Sequence, residues 1–416
     1  ALRKTFYLAY ASRASNKFPL KGNWDNTNNI AEILSLRQTI ANILGYKNFA
    51  EYSLATKMAK STQQVIDFLN NLKVKAKGKS KEEMVVLKKY AKKKLNIKII
   101  NPWDLAYVSE KYKKENYGVS QEELKQYFPV ENVIKGLFKL VKSLYGIEVK
   151  IKKTKSVWHP DVRLYEIFDK NKNLRGKFYF DLYARPNKRG GAWMDECIQR
   201  RLKSNGSVQA PVAFITCNSS PATKASPAFF THYDVETLFH EFGHGLQHML
   251  TKVDYAGISG ISGVEWDAVE LPSQFMENWC WEKDVLDTFA FHFETNQKLP
   301  NKLFKKLLAT KNYNSGMALL RQIEFSLFDF LLHMNEEKKK TRLTETVLQS
   351  VRKETSLLAV HKNNKFQNSF AHIFSGGYAA GYYSYKWAEV LSADAFMAFK
   401  ENKLVDRKVG NNFMKK

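Results

Sequence analysis

The feature that most constrains this 416-residue chain is a pair of histidines inside a helical pattern. The sequence reads His240-Glu241-Phe242-Gly243-His244, so the two histidines are four positions apart. On a helix this spacing puts both imidazoles on one face, one turn apart, where both can bind a single metal ion. Zinc suits two neutral imidazoles, and a catalytic zinc site takes three protein ligands and keeps one position open. Glu241 is therefore a candidate general base that takes a proton from an attacking water molecule.

The residues around this motif predict a helix whose apolar surface carries a polar stripe. Apolar side chains recur on successive turns, at Val235, Leu238, Phe239, Phe242, Leu246, Met249 and Leu250. His240, His244 and His248 run through that surface, and burying them is costly unless a partner such as a metal ion satisfies them. The competing interpretation is an amphipathic helix whose histidines have this spacing by chance. The pattern favours metal binding.

A third ligand is expected in the acidic segment that follows the predicted helix. This segment offers Glu265, Asp267, Glu270 and Glu277. Glu270 and Glu277 are seven residues apart and share one helical face, so spacing alone leaves both as candidates. Asp267 is a candidate for a supporting role, in which it accepts the ring N–H of a ligand histidine and fixes its tautomer. For Asp267 and Glu277 the alternative is a solvated helix face.

Several further segments accompany the histidine motif. In chain order they are Trp158-His-Pro-Asp-Val-Arg163, Tyr179-Phe-Asp-Leu-Tyr-Ala-Arg185, Lys188-Arg-Gly-Gly-Ala-Trp-Met194, Asp267-Ala-Val-Glu-Leu-Pro-Ser-Gln-Phe-Met-Glu-Asn-Trp279 and His372-Ile-Phe-Ser-Gly-Gly-Tyr-Ala-Ala-Gly-Tyr-Tyr-Ser-Tyr385. Together with the motif they resemble the M3 metallopeptidases, the thimet oligopeptidase group, over essentially the whole chain. The resemblance implies a zinc metalloendopeptidase that binds one Zn²⁺ per chain through His240, His244 and Glu270.

The Gly/Tyr-rich segment 375–385 lies far along the chain from the predicted zinc helix. A phenol hydroxyl can donate a hydrogen bond to the oxyanion that forms when water attacks a peptide carbonyl. The resemblance implies four roles in this part of the chain: catalytic roles for Tyr378, Tyr385 and, in support, His372, and substrate binding for Tyr382. The alternative is aromatic packing of a core helix, which is our interpretation of Tyr383.

Along the chain the order of predicted structure is helical, mixed and again helical. Amphipathic stretches fill residues 1 to about 125, and helical patterns return after Thr231. Between them lie β-rich runs at 162–168, 176–183 and 212–217, with a hairpin expected at Asn171-Lys-Asn173. The fold class is therefore mainly α with a small β-sheet. An exposed edge strand of such a sheet would suit a peptidase, because it can pair with an extended substrate backbone.

The resemblance also implies an architecture. The family fold is neurolysin-like, with two helical lobes that flank a deep channel and the HExxH zinc helix at its floor. It implies a first lobe of about 1–125 and 305–359, and a catalytic lobe of about 126–304 and 360–416. Such a channel admits short unstructured peptides and excludes folded proteins. Since family members extend beyond both ends of this chain, we expect residues 1–416 to be a fragment or the product of a shortened gene, which leaves an inactive remnant as an alternative.

Composition agrees with an enzyme that works in the cytoplasm. At 44% hydrophobic residues the chain can bury a large core, yet no apolar run reaches the roughly 18 residues of a membrane span. Cys197, Cys217 and Cys280 are scattered, which argues against cysteine ligands and a disulfide framework and for a reducing compartment. We expect a monomer that acts on short peptides and has no membrane partner.

The net charge of +25 comes mainly from lysines, with runs at Lys73 to Lys79, Lys88 to Lys94 and Lys338 to Lys340. One interpretation is a nucleic-acid binder with an accidental HExxH motif. Against it, the lysines alternate with helix formers and acids, and no zinc-finger, RRM or KH signature accompanies them. A solvated lysine-rich surface is the favoured interpretation, so we expect no nucleic-acid partner.

Overall fold

A computed structural model describes residues 2–17, 24–224, 226–336 and 342–415. The chain divides into two compact units: unit one comprises Ala1–Gly118 and Ala309–Tyr385, and unit two comprises Val119–Leu308 and Lys386–Lys416. The boundaries expected from the resemblance put residues 360–385 in the catalytic lobe. In the structure this segment belongs to unit one, because Phe370 and Tyr382 pack in a buried cluster with Phe328.

Helices dominate both units, as predicted. In chain order they are α1 (Leu2–Ala11), α2 (Thr27–Ile43), α3 (Phe49–Leu54), α4 (Thr62–Lys94), α5 (Leu105–Tyr117), α6 (Gln121–Leu124), α7 (Val130–Tyr145), α8 (His232–Leu250), α9 (Leu271–Asn278), α10 (Lys283–Leu286), α11 (Asn301–Ala309), α12 (Ser315–Met334), α13 (Leu343–Thr355), α14 (Ala371–Phe374), α15 (Ser384–Lys400) and α16 (Arg407–Lys415). Within the described ranges, none of the helices has both the length and the apolar run needed to cross a bilayer.

Among the described residues, the strands all belong to unit two. They are β1 (Glu148–Lys152), β2 (Arg163–Phe168), β3 (Leu174–Tyr183), β4 (Trp193–Ile198), β5 (Arg201–Leu202), β6 (Val208–Gln209) and β7 (Val212–Ser219). Five of them form a sheet in the order β1-β2-β3-β7-β4, in which β3 and β7 are parallel and the other neighbours antiparallel. The three predicted β-rich runs are confirmed as β2, β3 and β7. The sequence did not predict β1 or the edge strand β4.

The predicted hairpin between β2 and β3 is confirmed. The Asp169 carboxylate accepts the backbone N–H groups of Asn171 and Asn173, both at 2.9 Å, and Lys172 between them has a φ of 65°. A side-chain acceptor that satisfies two turn N–H groups stabilises a tight reversal of this kind. The hairpin sets the register of β3, the strand that pairs with β7 beside α8.

The lysine runs of unit one lie on the surface of α4. This helix buries a single stripe of side chains, at Val65, Leu69, Ala76, Ser80, Met84, Leu87 and Ala91. The runs Lys73–Lys79 and Lys88–Lys94 occupy the remaining faces, where Lys73 pairs with Glu354 and Lys94 with Glu115. These two runs are therefore a solvated helix surface. The third predicted run, Lys338–Lys340, lies outside the described residues.

Candidate metal centre

The predicted histidine helix is α8, and both of its ends are satisfied by side chains. At its start Thr231 and Asp234 form a capping box: the Thr231 hydroxyl accepts the Asp234 N–H at 3.1 Å, and the Asp234 carboxylate accepts the Thr231 N–H at 2.8 Å. At its end the Arg175 guanidinium donates to the carbonyls of Leu250 and Thr251 at 3.0 and 3.3 Å. Orphan groups at helix ends are costly when buried, so these contacts define where the helix begins and ends.

The apolar side of α8 packs on the sheet, as the periodicity predicts. Val235, Leu238, Phe239, Phe242, Leu246 and Met249 are buried, and Leu250 is half-buried. The Phe242 ring lies 5.4 Å from that of Phe178 on β3 and 6.1 Å from that of Phe180, between ring centroids. Burial of aromatic rings on this side leaves His240 and His244 on another side of the helix, towards α9.

A glycine inside the motif allows α9 to approach α8 closely. A Cβ atom on Gly243 would lie 2.4 Å from the Pro272 carbonyl oxygen and 2.6 Å from the Ser273 Cα. Only a residue without a side chain permits that contact. The residue immediately before α9 is Glu270, so the close approach brings its carboxylate to the histidine face of α8.

His240, His244 and Glu270 converge on one point. The Oε2 atom of Glu270 lies 3.2 Å from Nε2 of His240 and 3.2 Å from Nε2 of His244. The three donor atoms all lie within 4.8 Å of one another. The Ser273 hydroxyl donates to the same Glu270 oxygen at 3.0 Å and orients the carboxylate. Spacing left Glu270 and Glu277 as alternatives, and it is Glu270 that the structure groups with the two histidines.

The donor set fits a zinc ion. In a tetrahedral site with metal–ligand distances of roughly 2.0–2.1 Å, two ligand atoms are about 3.3 Å apart. The two 3.2 Å separations agree with that value. Two imidazole nitrogens and one carboxylate oxygen are also a ligand set that catalytic zinc sites use. Glu270 is almost completely buried, so its charge is placed where a cation would compensate it.

The charges of these residues affect one another. Burial disfavours the imidazolium form of His240, but hydrogen bonds with Glu270 and Glu277 outweigh burial and raise the pKa of His240 well above its ordinary value. Burial also opposes ionisation of Glu270, yet the His244 and His240 imidazoles hold the pKa of that carboxyl well below its usual range. The pocket therefore stabilises a carboxylate beside positive charge, which a metal ion supplies when the imidazoles are neutral.

Glu277 supports His240 and is not grouped with the donor atoms. Its carboxylate lies 2.5 Å from Nδ1 of His240, on the side of the ring away from Glu270. A carboxylate on the second ring nitrogen fixes the tautomer of a ligand histidine and raises its basicity. The supporting role expected for Asp267 is therefore filled at His240 by Glu277. Asp267 is fully buried, and its own role stays a prediction.

The third histidine of the polar stripe has another function in the fold. His248 is fully buried, and its Nε2 atom lies 3.0 Å from the carbonyl oxygen of Ile198 at the end of β4. It links α8 to the edge strand and does not belong to the group of donor atoms. Of the three histidines of the stripe, the structure therefore groups His240 and His244 with Glu270, and His248 has the Ile198 carbonyl as its partner.

Glu241 lies in the buried part of the same helix. Burial raises the pKa of its carboxyl, and the neighbouring charges of His240, His244 and Glu270 also act on it. The backbone N–H of Met194 on β4 donates a hydrogen bond to this carboxylate. A carboxylate with a raised pKa is a better proton acceptor at neutral pH than an exposed one.

Asp181 organises the segments that precede α8, and the sequence alone did not reveal this. Its carboxylate accepts Trp158 Nε1 at 2.9 Å, a bidentate pair of N–H groups from Arg185 at 2.6 and 2.8 Å, and Lys188 Nζ at 2.9 Å. Lys188 also donates to the carbonyl of Cys217 on β7. Three of the motif-like segments thus meet at one buried carboxylate. A single acid among basic and aromatic neighbours was the available signal.

The predicted tyrosines lie in unit one. The Tyr378 and Tyr385 rings are stacked, with centroids 4.9 Å apart and planes at 18°, and His372 lies 6.1 Å from Tyr378. Tyr382 is buried, and its hydroxyl donates to Gln322 at 3.0 Å, which is the contact of a packed residue; its role in substrate binding stays a prediction. Tyr383 is fully buried against Phe330, as its interpretation as a packing residue requires.

All three cysteines are free, which agrees with the expected lack of disulfides. None belongs to the group of donor atoms found among the described residues. Burial raises the pKa of Cys217, on β7, so its thiol is protonated and behaves as an apolar core group.

Curated relatives match this chain along its length. It is 51% identical over 415 residues to oligopeptidase A of Escherichia coli (strain K12), a match that covers 100% of this chain and 61% of the relative. It is 35% identical over 410 residues to saccharolysin of Saccharomyces cerevisiae, covering 95% of this chain and 56% of the relative. The chain therefore spans about three fifths of the length of these proteins.

The fold and the family model agree with these relatives. The solved structure of PZ peptidase A with an inhibitor superimposes with a TM-score of 0.54 at 14% identity, covering 94% of this chain and 58% of that one. At that identity the likeness shows the fold alone. The model of peptidase family M3 matches residues 1–416. The chain that carries this histidine and glutamate centre belongs to peptidase family M3.

Proposed function

We propose that this chain is a zinc-dependent endopeptidase that hydrolyses short unstructured peptides. The observation that carries the proposal is the position of the Glu270 carboxylate, 3.2 Å from Nε2 of both His240 and His244. Family membership supports peptide hydrolysis as the reaction. Because the chain spans 61% of the length of its E. coli relative, activity of this chain by itself is part of the proposal.

His240, His244 and Glu270 would hold the metal. A bound zinc ion would polarise the peptide carbonyl and lower the pKa of a water molecule, which is the chemistry that the metal supplies in such sites. Glu277 orients the His240 ring, and Ser273 orients the Glu270 carboxylate. Fixed ligand orientation keeps the remaining position free for substrate.

Glu241 would take the proton of the attacking water. Burial raises the pKa of this carboxyl, which favours acceptance of a proton and its later delivery to the leaving amine. The hydrogen bond from the Met194 N–H fixes the side chain. Position and proton affinity together support the general-base role.

Tyr378 and Tyr385 would stabilise the oxyanion of the tetrahedral intermediate, and His372 would support them. The proposal for these residues rests on the resemblance of segment 372–385 to the family and on the stacking of the two rings. A phenol O–H that meets the oxyanion donates more strongly in the transition state than in the bound peptide. Tyr382 would contact the substrate, and its hydroxyl donates to Gln322.

The family resemblance adds the remaining parts of the proposal. A deep channel between two helical lobes, with α8 at its floor, would select peptides by length and lack of structure. The cellular role would be turnover of short peptides in the cytoplasm by a monomer. A basic nucleic-acid binder is not favoured, because the family model covers the whole chain and the lysines of α4 form a solvated surface.

The test is zinc content and peptide cleavage measured in the same preparation, for the native chain and for Glu241→Gln. We expect one zinc per chain in both proteins. The variant should lose turnover by about 10²–10⁴-fold, because it keeps the shape of Glu241 but cannot take the proton. Its zinc content serves as the control for folding.

Each result separates two functions. Stoichiometric zinc without cleavage of any quenched peptide would show an inactive remnant. No zinc in the native chain would contradict the metal centre itself. If zinc-loaded Glu241→Gln kept native turnover, Glu241 would not be the general base, and the proposal of a zinc peptidase would still stand.

A further inference from the structure

A connected set of polar side chains holds both ends of the segment that carries Tyr378. We call residues Phe374–Ala379 the tyrosine loop. Just before it, Nη1 of Arg37 donates to the carbonyl oxygen of Ile373 at 2.8 Å. Just after it, the carboxylate of Asp329 accepts the N–H groups of Ala380, Gly381 and Tyr382, each at 2.9 Å.

Asp329 is unusual among the residues of α12. It is fully buried, and it sits between Phe328 and Phe330 in an otherwise apolar stretch of the helix. Three consecutive backbone N–H groups on one carboxylate form an anion-binding turn, and Ala380 within it has a φ of 49°. A non-glycine residue in that conformation is maintained only when its surroundings hold it there.

His333 connects the two anchors. Its Nε2 atom lies 2.9 Å from Nη1 of Arg37, and its Nδ1 atom lies 2.9 Å from the Asp329 carboxylate. A guanidinium can only donate, so Nε2 of His333 accepts and Nδ1 carries the proton, which it donates to the backbone carbonyl oxygen of Asp329 at 2.8 Å beside the carboxylate of the same residue. The imidazole thus lies between the guanidinium at one end of the loop and the Asp329 side chain at the other.

Helix α12 also contacts the side chain of Tyr382, which follows the loop. Tyr382 donates to Gln322 of α12 at 3.0 Å, and its ring lies 5.0 Å from that of Tyr385. Tyr385 in turn stacks on Tyr378 at 4.9 Å. The positions of Tyr378 and Tyr385 therefore depend on where α12 holds the backbone of residues 380–382.

We propose that Asp329, together with His333 and Arg37, is a positioning residue for the reaction. Through the backbone of residues 380–382 it acts on the hydroxyl of Tyr378, in the preceding tyrosine loop, and on that of Tyr385, which follows. This inference rests on the proposed function. Asp329 does not act on the substrate: its effect is transmitted by the three N–H groups that it holds. Small displacements of a group that meets the transition state lower turnover strongly.

Asp329→Asn tests this with little change of shape. The amide offers one oxygen in place of two and directs an NH₂ group at backbone N–H donors, so at least one of the three N–H groups loses its partner. We expect unchanged zinc content and a turnover number lowered about tenfold or more, with a smaller effect on KM.

Glu324→Gln is the matched control. Glu324 is a buried carboxylate of the same helix, it accepts N–H groups of Arg321 and Arg352 at 2.8 Å, and no described contact joins it to the loop. A role that is merely structural predicts similar effects of both variants. We expect Glu324→Gln to lower the melting temperature but to leave turnover within about twofold.

A double-mutant cycle separates positioning from general damage. In a chain that already carries Tyr378→Phe and Tyr385→Phe, the hydroxyls that Asp329 is proposed to position are gone. In that background, the addition of Asp329→Asn should lower turnover further by less than about threefold. A tenfold loss in both backgrounds, or native turnover of Asp329→Asn in the native background, would overturn the inference.

Amide hydrogen exchange gives a second, activity-independent measurement. The N–H groups of residues 380–382 should exchange faster in Asp329→Asn and at the native rate in Glu324→Gln. If the Asp329→Asn variant does not fold, Arg37→Met takes its place. Arg37 is half-buried, and its replacement releases the other end of the loop. Faster exchange of these N–H groups in Asp329→Asn together with native turnover would refute the positioning role. A native chain without any turnover would instead refute the proposed function, and the exchange rates would then report only on how Asp329 holds the loop.

Discussion

Gly243→Ala should weaken zinc binding although the residue is not a ligand. Gly243 lies between the two histidines of α8, where the backbone of Pro272 and Ser273 passes over it. The new Cβ would lie 2.4 Å from the Pro272 carbonyl oxygen, and an ordinary contact is at least 3.4 Å. The atoms that it meets are backbone atoms, which cannot rotate away. The start of α9 must therefore separate from α8 by about 1 Å.

That separation acts on the metal through Glu270, which directly precedes α9. Metal–ligand distances tolerate changes of only about 0.2 Å, so a shift of about 1 Å removes Glu270 from an effective ligand position unless its side chain rearranges. Loss of a supporting contact alone lowers metal affinity by about 10–100-fold. We expect a decrease of at least that size, with the helix content of the chain preserved because alanine favours a helix over glycine.

The assay is a competition titration with a chromophoric chelator, combined with circular dichroism. Gly245→Ala is the control on the same helix. Its Cβ would meet Ile215 Cδ1 at 2.9 Å and Met249 Cε at 3.2 Å, and both are ends of flexible side chains. We expect native zinc affinity for this variant within about threefold. Native affinity of Gly243→Ala would show that α9 is not held by this contact and would refute the reasoning.

Three further variants test other parts of the structure. Glu277→Gln should lower zinc affinity by about 10–100-fold by releasing His240, and Glu270→Gln should lower it more in the same titration; the reverse order would make Glu277 the ligand. Tyr385→Phe should lower kcat by about 10²–10³-fold with little change in KM, and Tyr383→Phe should be mild; equal small effects in steady-state kinetics would return the cluster to aromatic packing. Burial opposes ionisation of Asp181, but Arg185, Lys188 and Trp158 hold its pKa at about 2, so Asp181→Asn should cost about 2 kcal/mol at neutral pH in urea unfolding. Because that pKa is depressed, the stabilisation is present above about pH 4 and is lost as the pH falls towards 2, and a difference that does not shrink on acidification would exclude this origin.

Helix α8 could be predicted because its signals are local. The apolar periodicity from Val235 to Met249 and the acid near its start lie within one segment, and the structure confirms both the helix and its cap. The choice between Glu270 and Glu277 as the third candidate ligand needed more than sequence spacing. Glu270 and Glu277 share a helical face, and only the approach of α9 to Gly243 brings the first of them to the histidine nitrogens while the second lies against the far side of one ring.

Other features were missed for identifiable reasons. The edge strand β4 has no buried residue on either face, so its sequence does not alternate between apolar and polar positions. Asp329 did leave a signal, a single acid in the apolar run from Phe328 to Leu332, but its partners are backbone N–H groups some fifty residues away, and backbone donors have no sequence signature. The lobe boundary at residues 360–385 came from resemblance and not from the residues, and it stays a prediction beside the buried cluster that contains Phe370 and Phe328.

The two sets of functional candidates are each held by contacts within their own unit. Glu270 is fixed by Ser273 and by the α8–α9 approach at Gly243, all in unit two. The tyrosine loop is fixed by Asp329, His333 and Arg37, all in unit one. Metal affinity and loop order are therefore separate properties, each with its own measurement. Under the proposed function, turnover depends on both, so a variant that lowers turnover while zinc affinity and amide exchange remain native would identify a residue that acts on the substrate.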